Sequence, residues 1–186
     1  HLRAAEVVLA DGSIVRTDAS THPALFWAIR GAGANVGIVT AFEFEAREVG
    51  QVGYAQLAFQ VDDVAKFLEG YGRIVEESPR DLTAFLLMGA RRQGQPQVAQ
   101  LYGVVDSGDP DTIIDRLQPF AELAPLVQQS VQVTTYARVM ANADLGPQYG
   151  AGEPHARSAF VEHVTPAFAA AAERMLDAGD SYFFQL

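Results

Sequence analysis

From Val52 onward the spacing of apolar residues switches between a period of two and a period of 3.6 in a fixed order, which leaves few folds open. Residues 52–60 alternate as a strand. From about Asp62 to Glu77, the residues Val64, Phe67, Leu68, Tyr71, Ile74 and Val75 recur at i, i+3, i+4 and i+7. That is the stripe of an amphipathic helix, with Tyr71 in its core face and Asp62 as its cap. Strand 82–90 then faces strand 97–105 across Arg91-Arg92-Gln93-Gly94-Gln95-Pro96. A second helix over 110–124 starts at Gly108-Asp109-Pro110 and presents Ile113, Leu117, Phe120 and Ala121; Pro119 should shorten or kink it. Strand 126–135 completes a β-α-β-β-α-β series. This split βαβ order, that of ferredoxin-like units, makes an α+β fold in which an antiparallel sheet is covered on one face by helices.

The flanks read differently. Ala5–Ala10 and Ser13–Arg16 are two strand-like runs joined by Asp11-Gly12, a type I′ hairpin signal. A helix follows, with Ser20 or Thr21 as cap, Pro23 in its first turn and Gly31 at its end. Strand 38–45 then alternates Phe42 and Phe44 with Glu43 and Glu45. The pattern breaks at Val49-Gly50-Gln51, which predicts a division into residues 1–50 and 51–186. Beyond 135 the expected order is a short helix at Tyr136–Asn142, a Gly/Pro-rich loop at Gly146–Pro154, strand 157–163, helix 166–178 and strand 181–186. Because the chain opens on His1 inside a strand pattern and stops inside another, it is expected to be the interior of a longer polypeptide.

Composition narrows the chemistry. With 49% hydrophobic residues the chain can bury a sizeable core, and disorder is excluded. A net charge of −10 without a basic cluster argues against binding a nucleic-acid backbone or an anionic membrane surface. Cysteine is absent, so there is no thiolate metal ligand or cysteine nucleophile. The four histidines, His1, His22, His155 and His163, have no metal-ligand spacing, and no metal site is expected. His22 reads as part of a helix start and His163 as a strand end. No serine lies in a G-x-S-x-G elbow, and Glu76-Glu77 reads as solvated helix end. One lysine against twelve arginines suggests a GC-rich, bacterial gene.

The segment Gly31-Ala32-Gly33-Ala34-Asn35-Val36-Gly37 is the one loop with a binding character. It is not a dinucleotide fingerprint: a Rossmann loop follows a strand and opens a helix, whereas here a helix precedes and a strand follows. A ligand would have to meet bare backbone N–H groups in a nest-like loop. The competing reading is that the glycines only end a helix and permit a tight strand entry.

The wider string Glu6–Val15 followed by Pro23–Thr40 resembles the closing part of the FAD-binding domain of vanillyl-alcohol-oxidase (PCMH) type flavoproteins, specifically the berberine-bridge-enzyme-like oxidases. The family pattern is a VVxADG strand pair, an LFWAxRG helix and a GxNFGVVT loop and strand. It covers about the first 48 residues; the rest resembles the family's substrate-binding domain more weakly, in element order. Val36 stands where the family usually has an aromatic residue, and Ala32 where glycine is common. The resemblance implies that the backbone around Asn35, Gly37, Ile38 and Val39 lies against FAD. Gly37 would allow close approach and Ile38 would give apolar cover. The covalent flavin attachment, the phosphate loop and the catalytic base of the family have no counterpart in these residues.

The resemblance also implies that one face of the substrate-domain sheet looks onto the flavin and that its polar residues touch substrate. Gln185, on strand 181–186, is a candidate of that kind, against the plainer reading of a strand-end amide satisfied by backbone. Tyr149 in the Gly/Pro loop is a second candidate, as a lid aromatic or a simple surface anchor. Tyr102, Tyr136 and Tyr182 are further aromatic candidates. The expected partner is a small-molecule substrate; a homodimer and a cytoplasmic setting are compatible with the sequence. The expected function is that of part of an FAD-dependent oxidoreductase, inactive by itself. The rival is a free-standing ferredoxin-like module that binds a small molecule or dimerises, without redox activity. Such a module has no need of the helix–glycine loop–strand element at 23–45.

Overall fold

A computed structural model of the chain describes residues 1–32, 35–92, 94–143, 157–179 and 184–186. They fall into two units, His1–Glu48 and Val49–Leu186.

In the first unit β1 (Leu2–Val8), β2 (Ile14–Asp18) and β3 (Ile38–Phe44) form an antiparallel sheet in the order β2-β1-β3, and α1 (Pro23–Ile29) follows β2. β1 is the central strand, and its Ala4, Ala5 and Val7 are buried. The hairpin is not the expected two-residue type I′ turn. Leu9 closes onto Ser13 across Ala10-Asp11-Gly12, and of these only Gly12 has positive φ, at 82°. That is the three-residue hairpin loop, in which one left-handed glycine suffices. The Asp11 carboxylate holds it by accepting from the Ser13 amide and hydroxyl at 2.9 and 2.6 Å.

The start of α1 also departs from expectation, since neither Ser20 nor Thr21 caps it. The N-cap is His22 in the left-handed region (φ 50°), with no side-chain cap. The turn before it is ordered by Asp18, whose carboxylate accepts from the Ser20 amide, the Ser20 hydroxyl and the Thr21 amide at 2.7–2.8 Å. Buried Thr17 donates to the His22 carbonyl at 2.9 Å. A short side chain preceding the helix therefore orders the turn from which α1 starts, while the helix itself has no side-chain cap.

The second unit contains β4 (Gln51–Val61), α2 (Val64–Glu77), β5 (Leu82–Met88), β6 (Gln97–Val105), α3 (Pro110–Ala121), β7 (Leu126–Thr135), α4 (Tyr136–Ala143), α5 (Pro166–Ala178) and β8 (Phe184–Gln185). The sheet order is β7-β4-β6-β5-β8, antiparallel at every pairing. The first four strands of that order are the split βαβ arrangement, and β8 extends it at the β5 edge. The expected strand at 157–163 is absent: residues 157–165 are irregular up to the Thr165 cap of α5. His163 therefore ends no strand, and its Nδ1 lies 3.1 Å from a Glu76 carboxylate oxygen.

One face of this sheet is dry. Leu57, Phe59 and Val61 of β4, Leu86 and Met88 of β5 and Ala99 and Leu101 of β6 are buried with Phe67, Leu68 and Tyr71 of α2, Phe120 of α3 and Ala169, Ala172 and Leu176 of α5. Aromatic contacts knit the layers, Phe59 to Phe67 at 5.4 Å and Tyr71 edge-on to Phe120 at 6.0 Å. Asp63, not Asp62, caps α2 by accepting from the Lys66 amide at 2.8 Å, and Asp109 caps α3 through the Thr112 amide at 2.9 Å. Pro119 is tolerated inside α3, which ends three residues short of the expected 124. Arg116 grips Asp81 through Nε and a terminal nitrogen at 3.0–3.1 Å, and so holds the Asp81 carboxyl below its usual range.

Candidate functional sites

The glycine loop enters β3 under tight constraint. Gly37 has φ +149°, and a Cβ built there would stand 2.7 Å from both Val7 Cγ1 and the Val8 carbonyl oxygen. Only glycine lets the backbone pass so close to β1. Ile38 then pairs with Val8 and Val39 with Val7. Ile38 is 71% exposed and Val39 half-buried, so the strand entry presents apolar surface outward. The expectation of bare N–H donors fails at Asn35, whose amide donates to the Ala32 carbonyl at 2.9 Å. Asn35 itself is exposed. The four residues expected at the flavin thus form one continuous stretch: a polar side chain, a backbone without room for Cβ and an apolar wall.

Before the stretch in sequence, Trp27 (73% exposed), Ala28, Arg30, Gly31 and Ala32 line a shallow recess. Phe42 and Phe44 are exposed neighbours with ring centroids 5.7 Å apart. Exposed aromatic surface of this kind can hold a flat ring by dispersion and area burial. No acid or base sits in the stretch.

In the second unit, the sheet face away from the core has a composition of its own. Register places its side chains in cross-strand rows. One row runs Gln128 (β7), Ala58 (β4), Gln100 (β6), Leu87 (β5), Gln185 (β8). The next runs Ser130, Gln56, Tyr102, Phe85, and a third Gln132, Tyr54, Val104, Thr83. Gln185 therefore lies in line with two other glutamines, exposed like them. Its neighbour Phe184 turns to the core, and Leu186 exchanges backbone hydrogen bonds with Leu86 at 2.8 and 3.0 Å. Tyr102 stacks on Phe85 at 5.0 Å with planes 11° apart. On the same face Gln56 donates to the Tyr54 hydroxyl at 2.9 Å, and the Tyr102 hydroxyl donates to Gln100 at 3.3 Å. None of these thirteen positions is Asp, Glu, Lys, Arg or His. The three rows can bind and orient a ligand, and their only phenols are Tyr54 and Tyr102.

Tyr149 and Tyr182 lie outside the described residues. Tyr136 opens α4, which packs against β4 and β7 at the end of the face where Val52 and Thr134 are buried. Gln56, Gln100, Gln128 and Phe85 escaped sequence reading. The signal that could have found them is the solvent phase of each strand, where glutamine and tyrosine replace the charged residues usual on an open sheet face. Among the described residues no group of three or more His, Cys, Asp or Glu is placed to hold a metal ion, and no helix is long and apolar enough to cross a membrane.

No family model matches the chain. Individual proteins do. The FAD-linked oxidoreductase OXR2 of Pyricularia oryzae is 32% identical over 137 residues, 68% of this chain and 26% of that protein. The (R)-6-hydroxynicotine oxidase of Paenarthrobacter nicotinovorans is 28% identical over 151 residues, 78% of this chain and 32% of that protein. Among solved structures, the xylooligosaccharide oxidase of Myceliophthora thermophila C1 in complex with xylobiose superposes with a TM-score of 0.65 at 25% identity, over 79% of this chain and 31% of that one. The chain thus spans about a quarter to a third of the length of the relatives it matches. Both the sequence relatives and the shared fold place it with the berberine-bridge-enzyme-like, FAD-linked oxidoreductases of the vanillyl-alcohol-oxidase (PCMH) type, of which it is a part.

Proposed function

We propose that the chain is part of an FAD-dependent oxidoreductase, with residues 1–50 contributing to its FAD-binding domain and 51–186 to its substrate-binding domain. The reading is supported above all by Gly37, whose lack of Cβ lets a stretch ending in exposed Ile38 lie flush on β1. Asn35, Gly37, Ile38 and Val39 would line the flavin, and Gln185 would touch substrate; Tyr149 keeps that proposed role from sequence alone. When bound, FAD would supply the redox chemistry, taking up a hydride from a substrate C–H next to oxygen or nitrogen. This chain's residues would orient the substrate, cover one side of the flavin and exclude water there. None of Asn35, Gly37, Ile38, Val39 and Gln185 has a side chain suited to take the substrate proton, so the base is expected outside these five residues.

The 186-residue chain by itself is expected to be inactive. A homodimer remains part of the proposal, read out by sedimentation of the whole protein. The function itself is tested by mixing the full-length enzyme anaerobically with an alcohol, a sugar and an amine. Bleaching of the flavin by at least one of them is expected, and bound FAD that none of them reduces would contradict the reading.

A further inference from the structure

Strand β7 (Leu126–Thr135) ends the larger sheet, and among the described residues no strand pairs with its outer side. A bare edge is a template for pairing with another chain, and proteins blunt such edges with charge, proline or shortness. The three other sheet edges are blunted in this way: β2 carries Arg16 and Asp18, β3 carries Glu43, and β8 has two residues. The ten residues of β7, Leu-Val-Gln-Gln-Ser-Val-Gln-Val-Thr-Thr, hold no charge and no proline. Its irregularity is confined to the first end, so 128–135 pair regularly with β4. We propose that this edge is where two copies of the chain pair, joining their five-stranded sheets into one; this rests on the homodimer in the reading above.

Packing, register and charge all favour a second copy. Gln129, Val131 and Val133 lie opposite Leu57, Ala55 and Gly53, on the core side of the sheet. Helix α3 rests on β4 and β6, with Ile113 over Gly53 and Leu117 over Gly103, and Val131 and Val133 stay 49% and 41% exposed. Ile114 of α3 is exposed as well. The apolar layer thus runs out at β7, and a second sheet alongside continues it. Two identical antiparallel strands keep each side chain on its own face only when the two-fold axis passes at a residue, not between residues. With the axis at Val131, the middle of 128–134, Val131 opposes its own copy and Gln129 opposes Val133. On the other face Ser130 opposes Gln132 and Gln128 opposes Thr134, hydroxyl against amide each time. No charge meets its like, which matters in a chain of net charge −10 that repels its copy elsewhere. Such pairing consumes the long edge of both copies, and the short β8 at the far side makes a closed dimer rather than a fibre.

The test is the mass of the full-length protein by sedimentation, with flavin content measured separately. The unaltered protein is expected to be a dimer at micromolar concentration. Val131→Lys and Val131→Glu each set like charges opposite one another across the axis, and each should weaken the dimer at least tenfold. Mixed in equal amounts, the two variants set Lys opposite Glu and should form dimers again, which misfolded chains would not do. Val75→Lys puts the same charge on an exposed position of α2 and should leave the dimer intact. A monomeric unaltered protein overturns the proposal, since the edge is then bare or covered by another part of the same chain. A dimer that survives both charges at Val131 also overturns it, and leaves a homodimer through some other surface. Two monomeric variants that stay apart on mixing overturn the paired register and the proposal with it. Bound FAD, read in the same samples, keeps the redox reading separate from all of these outcomes.

Discussion

At the scale of single residues, two positions in the first unit carry consequences out of proportion to their size. Gly37→Ala must push its Cβ away from the Val8 carbonyl, a backbone atom that cannot swing aside, at a φ of +149°. A cost of about 1–3 kcal/mol is expected, read as faster amide exchange in the β1–β3 ladder; unchanged exchange would contradict the geometry. Asp18 is the second. Hydrogen bonds from the Thr21 amide and from the Ser20 hydroxyl and amide pull its carboxyl pKa down to about 2. Because the folded value lies below the ordinary aspartate value of 3.8, the turn's stabilisation is present above that value and is lost as pH falls through about 2. A carboxyl titration by NMR should find its midpoint near 2, and a midpoint at or above 3.8 would refute the turn. Neither position was legible in full. The sequence marks Gly37 as a glycine before a strand, yet only its contact with β1 tells a required glycine from a convenient one. Ser20 and Thr21 look like caps by residue type. In the structure both lie before the N-cap position His22, in the turn where their amides donate to Asp18.

At the scale of elements, periodicity told most of the second unit. Strands β6 and β7 and helix α5 fall where the alternation and the 3.6 period put them. The miss at 157–163 has a physical reason: Phe160 and Val161 are apolar but exposed, with no strand among the described residues pairing with them. Apolar residues alone do not make a strand without a partner. The short β8 holds through tertiary contacts, the pair of backbone bonds to Leu86 and the Tyr71 hydroxyl, which reaches the Ala84 and Leu186 carbonyls at 3.1 and 3.3 Å. Burial pushes that phenol up to about 12. Tyr71→Phe should keep the ring's packing and lose about 1 kcal/mol, mostly as faster exchange at the Leu186 amide. Exchange unchanged at Leu186 but faster throughout α2 would show that the hydroxyl does not secure β8.

At the scale of the whole molecule, the charge of −10 now has a location as well as a sign. It is absent from the sheet face that most resembles a binding surface, so the acidic balance says nothing against a neutral substrate. Sequence alone could not bring that face together, since its rows join residues from Tyr54 to Gln185 through strand register. The glycine loop, being contiguous, stands together in the sequence as one segment. The central claim is that this chain helps to hold a flavin, and the stoichiometry of FAD on the purified full-length protein tests it most directly. One FAD per chain, in a yellow protein, is the expected result; a colourless protein that takes up no added FAD would contradict the account.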